Sequence, residues 1–217
     1  MTIVLKRRGL LLILSSPSGA GKSTLTRSLV NGVADISLSI SVTTRAKRQS
    51  EIRGKDYVFI EQPEFDDMRD RGELLEWAQV HGNSYGTPRK PVEQALARGE
   101  DMMFDIDWQG TKQIVEKMPE DVVSVFILPP SMAELKARLE RRAEDAPEVI
   151  ARRLRNARDE IAQWFQYDYV LINEDLDKTF DDLKAILAAE RLRRSRQVEL
   201  QKFIESLLAD SGESVGT

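Results

Sequence analysis

Leu10-Leu11-Leu12-Ile13-Leu14-Ser15-Ser16-Pro17-Ser18-Gly19-Ala20-Gly21-Lys22-Ser23-Thr24-Leu25 is the stretch on which the reading of the whole chain turns. Five apolar residues in a row, stopped by a Ser/Pro/Gly cluster, predict a strand buried on both faces. Beyond the cluster, Leu25, Leu29 and Val30 lie at helical spacing, and Gly32 can end that helix. Strand, glycine-rich turn and helix in this order make a phosphate loop. Its glycines let backbone N–H groups converge on phosphate oxygens, Lys22 reaches the terminal phosphates, and the Ser23 hydroxyl meets Mg²⁺. The strict pattern asks for glycine at position 16, where this chain has Ser16. The flanking strand and helix are those the mechanism requires.

Working outward, 217 residues suffice for one large domain or a core with small insertions. Contents of 41% hydrophobic and 31% charged residues mark an ordinary soluble chain. A net charge of −4 argues against a general nucleic-acid binder while allowing local cationic patches. Cysteine is absent, which excludes disulfides and thiolate metal sites and permits a cytoplasmic location. Lys6-Arg7-Arg8 before the leucine run superficially suggests a secretory leader, but the run is shorter than the roughly 7–15 apolar residues such leaders need. No run approaches the ~20 residues of a membrane span. The expectation is a cytoplasmic protein with neither nucleic acid nor membrane as partner.

Residues 1–9 read as a poorly fixed, basic lead-in. Ile36 to Val42 alternates apolar and polar residues and predicts one strand with a buried face. Arg45 and Arg48 follow it in a polar loop, where arginines alone read as solvated surface charge. Residues 41–89 have the texture of an inserted α+β unit, with strands at Tyr57–Ile60 and Leu74–Val80 and a helix from Pro63. Period-two alternation puts Glu76 on the face of Leu74, Ala78 and Val80, where a carboxylate is costly unless paired or used. Residues 81–88 read as a glycine-rich turn, with His81 in a plain surface role. The core resumes over 90–133. Met102 to Asp107 reads as a buried strand ending in Asp105 and Asp107, which suit a metal or an acceptor beside a phosphate loop; capping the next helix is the alternative for one of them. Residues 134–160 form an arginine-rich pair of helices joined at Asp145-Ala146-Pro147, suited to a lid over phosphates, with a solvated helical face as the plain alternative. Residues 161–208 return to the core with a long helix from about Thr179. Their apolar stripe at 200–208 packs on the core or on a second subunit, which leaves a homo-oligomer open. Residues 209–217 read as a disordered tail.

A phosphate loop, an arginine pair, an acid pair and an arginine-rich lid together fit phosphoryl transfer between two polyanions. At 4 Å each like-charge pair costs about 4 kcal/mol at an effective dielectric near 20, which Lys22, Mg²⁺ and arginines offset. If the acceptor is itself a phosphate, its second pKa near 6 leaves it largely ionised, and no general base is needed.

SSPSGAGKSTL, SVTTRAKR, RGKDYVF, LLEWAQVHGNSYGT, MMFDIDWQGTKQI, FILPPS and LINEDLD, in this order from about Leu10 to Leu192, closely resemble the guanylate kinase family. The resemblance implies a P-loop NTPase fold with a parallel sheet flanked by helices, an inserted GMP-binding region and a helical lid. It implies transfer of the terminal phosphate of ATP, carried as MgATP, to GMP and also dGMP. Ser16, Pro17, Ser18, Gly19, Ala20, Gly21, Lys22, Ser23 and Thr24 would hold the ATP phosphates, with Asn173 beside the adenine and Ser23 meeting the metal. Ser41 and Glu76 would read guanine, with Thr87 as a second hydroxyl contact. Arg45, Arg48, Tyr57 and Tyr85 would hold the GMP phosphate, and Asp105 and Asp107 match the acid pair. Lys22, Arg45, Arg142 and Arg153 would act in transfer, the last two from the lid. A non-catalytic interaction module of the same fold is the rival reading; the intact phosphate loop opposes it.

Overall fold

The computed structural model describes residues 5–80, 82–141 and 147–210. His81, Arg142, Ala143, Asp145, Ala146 and the tail from Ser211 onward lie outside the described residues. In chain order the elements are β1 (Leu11–Ser15), α1 (Lys22–Gly32), β2 (Ile36–Leu38), β3 (Val42–Thr43), β4 (Val58–Phe59), α2 (Gln62–Asp70), β5 (Leu74–Val80), β6 (Asn83–Pro88), α3 (Arg89–Ala97), β7 (Asp101–Asp105), α4 (Trp108–Lys117), β8 (Val122–Leu128), α5 (Met132–Arg141), α6 (Pro147–Ile161), β9 (Tyr169–Ile172), α7 (Leu176–Arg191) and α8 (Leu200–Asp210).

The leucine run explains the layering. Its alternate residues point to opposite faces of a parallel sheet ordered β2-β7-β1-β8-β9, in which β1 is central. Leu10, Leu12 and Leu14 pack with Leu25 and Leu29 of α1 and Leu183 and Leu187 of α7. Leu11 and Ile13 pack with Val92 and Leu96 of α3 and Ile114 of α4. Both faces are therefore covered, which is why the run has no polar alternation. Each fully buried leucine contributes about 1.5–3 kcal/mol relative to an exposed one. The result is an α/β fold with a parallel sheet between helix layers.

A second sheet, ordered β4-β3-β6-β5, closes a smaller core of Val42, Phe65 and Leu74. Here the structure corrects two expectations. The alternating stretch 36–42 is two strands in two sheets: Ile36 pairs with Asp101 of β7, whereas Val42 pairs with Val58 and Gly86. Leu38 is 41% exposed, so the alternation marks no continuous buried face. A period of two reports an extended backbone but not which neighbour it pairs with. Residues 83–88, expected to be a turn, form β6 and pair antiparallel with β5.

The ends of the chain also differ from expectation. The described part of the lead-in is held: Arg7 and Arg8 pair with Asp101 and Asp121, and the Arg8 N–H donates to Arg196 O at 2.7 Å. Helix α8 runs through Ala209 to Asp210, two residues into the expected tail. Its stripe does not pack on the core, with Ile204 43% and Leu207 50% exposed. Among the described residues no helix is long and apolar enough to cross a membrane.

Candidate active site

The phosphate-loop residues connect β1 to α1 at the C-terminal edge of the parallel sheet, where ligands of such sheets bind. Ser16, Pro17, Ser18, Gly19, Gly21, Lys22 and Ser23 line a cavity of about 280 Å³ together with Asp105, Asp107 and Glu160. Gly19 and Gly21 have φ of 96° and 102°, backbone that side chains disfavour. Ser16 has no positive φ, the only such non-glycine among the described residues being Asp35, so a serine fits where the pattern asks for glycine. The first turn of α1 holds no acidic residue, leaving its unpaired N–H groups and positive dipole end for an anion.

Contrary to expectation, the acid pair does not close one strand together. Asp105 is the last residue of β7 and ion-pairs with Lys22. Asp107 caps α4, accepting the N–H groups of Gln109 and Gly110 at 3.0 Å each. The capping alternative therefore holds for Asp107, which still lines the cavity. Glu160, near the end of α6, went unnoticed in the sequence. Burial raises its carboxyl pKa, opposed by the Ser18 N–H and the Lys22 charge. A lone acid in a charged helix carries no local sign of reaching the loop.

Gly19 and Gly21 also border a second cavity lined by Arg138, Arg141, Asn173, Glu174 and Leu176. Asn173 is buried and braces the loop: its amide donates to Ala20 O at 2.7 Å and accepts from Thr179 Oγ1 at 3.2 Å. Ala20 is accordingly buried, and in the first turn of α1 the backbone N–H of Thr24 donates to Gly21 O at 3.1 Å. Arg138 donates to Asn173 O at 3.0 Å, and both Arg138 and Arg141 contact Glu134 at 2.9 Å. Helices α5 and α6, expected to form a lid, meet through Leu135, Leu139, Ile150 and Ala157. Of the arginines expected to act from the lid, Arg142 lies outside the described residues and Arg153 sits half-buried on α6. Among the described residues, Arg138 and Arg141 are the guanidinium groups lining the second cavity.

The second sheet gathers the remaining candidates. Glu76 is buried on β5, its Oε1 accepting from Thr87 Oγ1 at 2.7 Å, with Ser41 Oγ 3.5 Å from Thr87 Oγ1. A register shift between Leu74 and Glu76 breaks the alternation expected there. Burial raises the Glu76 pKa and Asp107 adds to it, while Thr87 and Lys117 favour the ionised form. Beside it, Arg45 forms a two-pronged pair with Glu51, at 2.7 and 3.1 Å, and lies 5.4 Å over the Tyr57 ring. Tyr57 and Tyr85 meet edge to face at 5.9 Å. Glu51 also accepts the backbone N–H of Arg48 at 2.8 Å, so one carboxylate ties the Arg45 side chain to the loop that carries Arg48. The Arg45 guanidinium holds its pKa below the ordinary glutamate range. Glu51 was missed because an acid in a basic loop reads as charge balance. Burial raises the Tyr57 hydroxyl pKa, keeping it a neutral donor. The structure thus brings Ser41, Glu76 and Thr87 into one cluster and Arg45, Tyr57 and Tyr85 into another, to which Arg48 is tied by its backbone N–H through Glu51.

Comparison with known proteins agrees with this geometry. The guanylate kinase family model matches residues 8–190. A guanylate kinase of Chelativorans sp. is 62% identical over 96% of each chain. One from Rhizobium meliloti is 57% identical over 96% of this chain and 95% of its own. The crystal structure of guanylate kinase from Anaplasma phagocytophilum superimposes with a TM-score of 0.73 at 42% identity, over 94% of this chain and 97% of that one. A phosphate loop on a parallel sheet, an inserted second sheet with a buried carboxylate, and relatives matched over nearly their whole length agree: the chain belongs to the guanylate kinase family, whose members are nucleoside monophosphate kinases.

Proposed function

We propose that this protein transfers the terminal phosphate of ATP to GMP, and also to dGMP, giving ADP and the corresponding diphosphate. The observation that carries the choice of acceptor is the buried Glu76 carboxylate, paired with Thr87 beside Ser41. An ionised carboxylate accepts two donors at once, and guanine offers N1–H and a 2-amino group on one edge. A hydroxyl such as Ser41 suits O6. Adenine lacks that pair of donors and would leave Glu76 buried and unmatched, which is a strong basis for rejection. The Tyr57 and Tyr85 hydroxyls with Arg45 and Arg48 would hold the acceptor phosphate, with Glu51 keeping Arg45 at a fixed angle.

The loop from Ser16 to Thr24 would take the ATP phosphates on its backbone N–H groups, with the adenine in the second cavity above Asn173. Lys22 would turn from Asp105 to the terminal phosphates. An oxygen of the GMP phosphate bonds to the terminal phosphorus as the bond to the bridging oxygen of ADP breaks. Lys22, Arg45 and lid arginines, Arg142 and Arg153 among them, would stabilise the charge on the group in flight. Ser23, Asp105 and Asp107 offer hard oxygen donors, while no cluster of three His, Cys, Asp or Glu able to hold a metal occurs among the described residues. That donor set fits a Mg²⁺ that arrives with the nucleotide rather than one caged by protein. When bound, the ion supplies charge neutralisation between the phosphates.

An ADP-release assay with ATP and a panel of GMP, dGMP, AMP, CMP and UMP tests the reading. Turnover with GMP and dGMP and background rates with the others are expected. Equal use of AMP and GMP would overturn it.

A further inference from the structure

Helix α4 lies along β5 and ties the two halves of the site together. Its cap, Asp107, lines the phosphate-loop cavity, and three successive turns of its body face the strand that carries Glu76. At Gly110 a side chain would stand 3.3 Å from Glu76 Oε2, so the helix backbone closes on the carboxylate. One turn on, the Gln113 amide pairs with both backbone groups of Trp77. Its Oε1 accepts the Trp77 N–H at 3.1 Å and its Nε2 donates to the Trp77 carbonyl at 3.0 Å. Another turn on, Lys117 Nζ donates to the carbonyls of Leu74 at 3.1 Å and Leu75 at 2.7 Å.

These contacts bracket a break in the sheet. The register shifts between Leu74 and Glu76, so the strand has one residue more than its partner there. Opposite Leu74 stands Pro88, which has no N–H to give. Bulged carbonyls without ladder partners leave a strand free to twist, and the bulge sets where the next side chain points. We infer that Gln113 and Lys117 are positioning residues for base selection: they hold the bulge from both sides and so aim the Glu76 carboxylate. The inference rests on the reading of Glu76 as the group that recognises guanine. The Lys117 charge, which favours the ionised form of Glu76, works in the same direction.

The test is steady-state kinetics on the full chain with GMP, and with the analogue lacking the 2-amino group, for Lys117→Met, Gln113→Leu, Lys117→Arg and Glu76→Gln. Lys117→Met and Gln113→Leu should each raise KM for GMP about tenfold and erode preference over the analogue equally, with kcat and KM for ATP within about twofold. Lys117→Arg, which can still reach both carbonyls, should recover most of the loss. In a Glu76→Gln background Lys117→Met should add less than about twofold, since there is no longer a carboxylate to aim. A lowered melting temperature with unchanged KM for GMP and unchanged preference would overturn the proposal and leave a merely structural role. Effects that multiply in the Glu76→Gln background would overturn it too. If Glu76→Gln alone keeps the preference, the base-reading role falls and the proposal falls with it. Should Lys117→Met not fold, Gln113→Leu, which removes no charge, carries the same test.

Discussion

One strand shows the contrast that organises this molecule. β7 begins at Asp101 and ends at Asp105, two aspartates facing cations, with opposite consequences. Asp101 is fully buried, holding Arg7 at 2.6 Å and Arg191 at 2.7 Å and accepting the Leu10 N–H at 3.0 Å. Nearby, Arg196, 2% exposed, lies against Glu190. Asp105 faces a single cation, Lys22, and both border an open cavity. At the sealed end, the pairs join Arg7 and Arg191 to the sheet, and the buried carboxylate is out of a ligand's reach. At the open end a phosphate can take the place of Asp105 on Lys22. Charge pairing alone therefore does not mark a functional site; access by a competing anion does.

The sharpest way to break this contrast is at the sealed end. Asp101→Asn leaves two arginines without compensation, and losing one member of a buried network costs about 3–5 kcal/mol. The melting temperature should fall by about 10 °C, since 1 kcal/mol corresponds to roughly 2–4 °C at this size. Calorimetry checks this, and the kcat of the folded enzyme should be preserved. Lys22→Ala makes the opposite pattern: turnover should drop about 10²–10³-fold, as when a preorganised donor is removed. Its melting temperature should stay within about 2 °C, measured on the same preparation.

Glu76 is sealed like Asp101, and the proposed function would give it a ligand to meet. Glu76→Gln should raise KM for GMP about 10²-fold while ATP binding is unchanged. Burial raises the Glu76 pKa above its ordinary 4.5, so the folded state holds that proton more tightly than the unfolded chain. Its ionisation therefore costs stability as pH rises through the folded value, and the neutral amide removes that cost. A higher melting temperature than that of the unsubstituted protein is expected at pH 7. For the unsubstituted protein the same shift predicts that KM for GMP climbs as pH falls from neutrality towards 4.5, because the protonated acid cannot accept both guanine donors. A flat profile across that window would count against the role. The smallest effect is expected at Glu51, where Glu51→Gln should raise KM for GMP about threefold to tenfold by loosening Arg45, with kcat little changed.

How much of this was legible before folding depends on range. The phosphate loop was, since strand, glycines, Lys22 and Ser23 are contiguous and every step of the argument is local. The buried helix faces followed from period, and Glu76 stood out as an acid in an apolar run. The stretch 36–42 misled because alternation does not name a pairing partner. Residues 83–88 misled because glycine and asparagine suggest turns even where a neighbouring strand holds them extended. Glu160 beside the phosphate loop, and Arg138 and Arg141 beside Asn173, left no local trace. Each depends on how a lid helix packs, which many distant contacts decide together.

By itself the amino-acid sequence determined that a doubly buried strand runs into a phosphate loop, that an inserted unit carries a costly carboxylate, and which family the motifs resemble. Only the tertiary structure decided which charges are sealed and which are exchangeable, that Asp107 caps a helix, and that the strand carrying Glu76 is bulged beside it. The reason is physical: hydrophobic period and loop chemistry are short-range properties of the chain. Burial and partnership of a charge are set by residues far apart in sequence, such as Arg7, Asp101 and Arg191, that only the closed fold brings together.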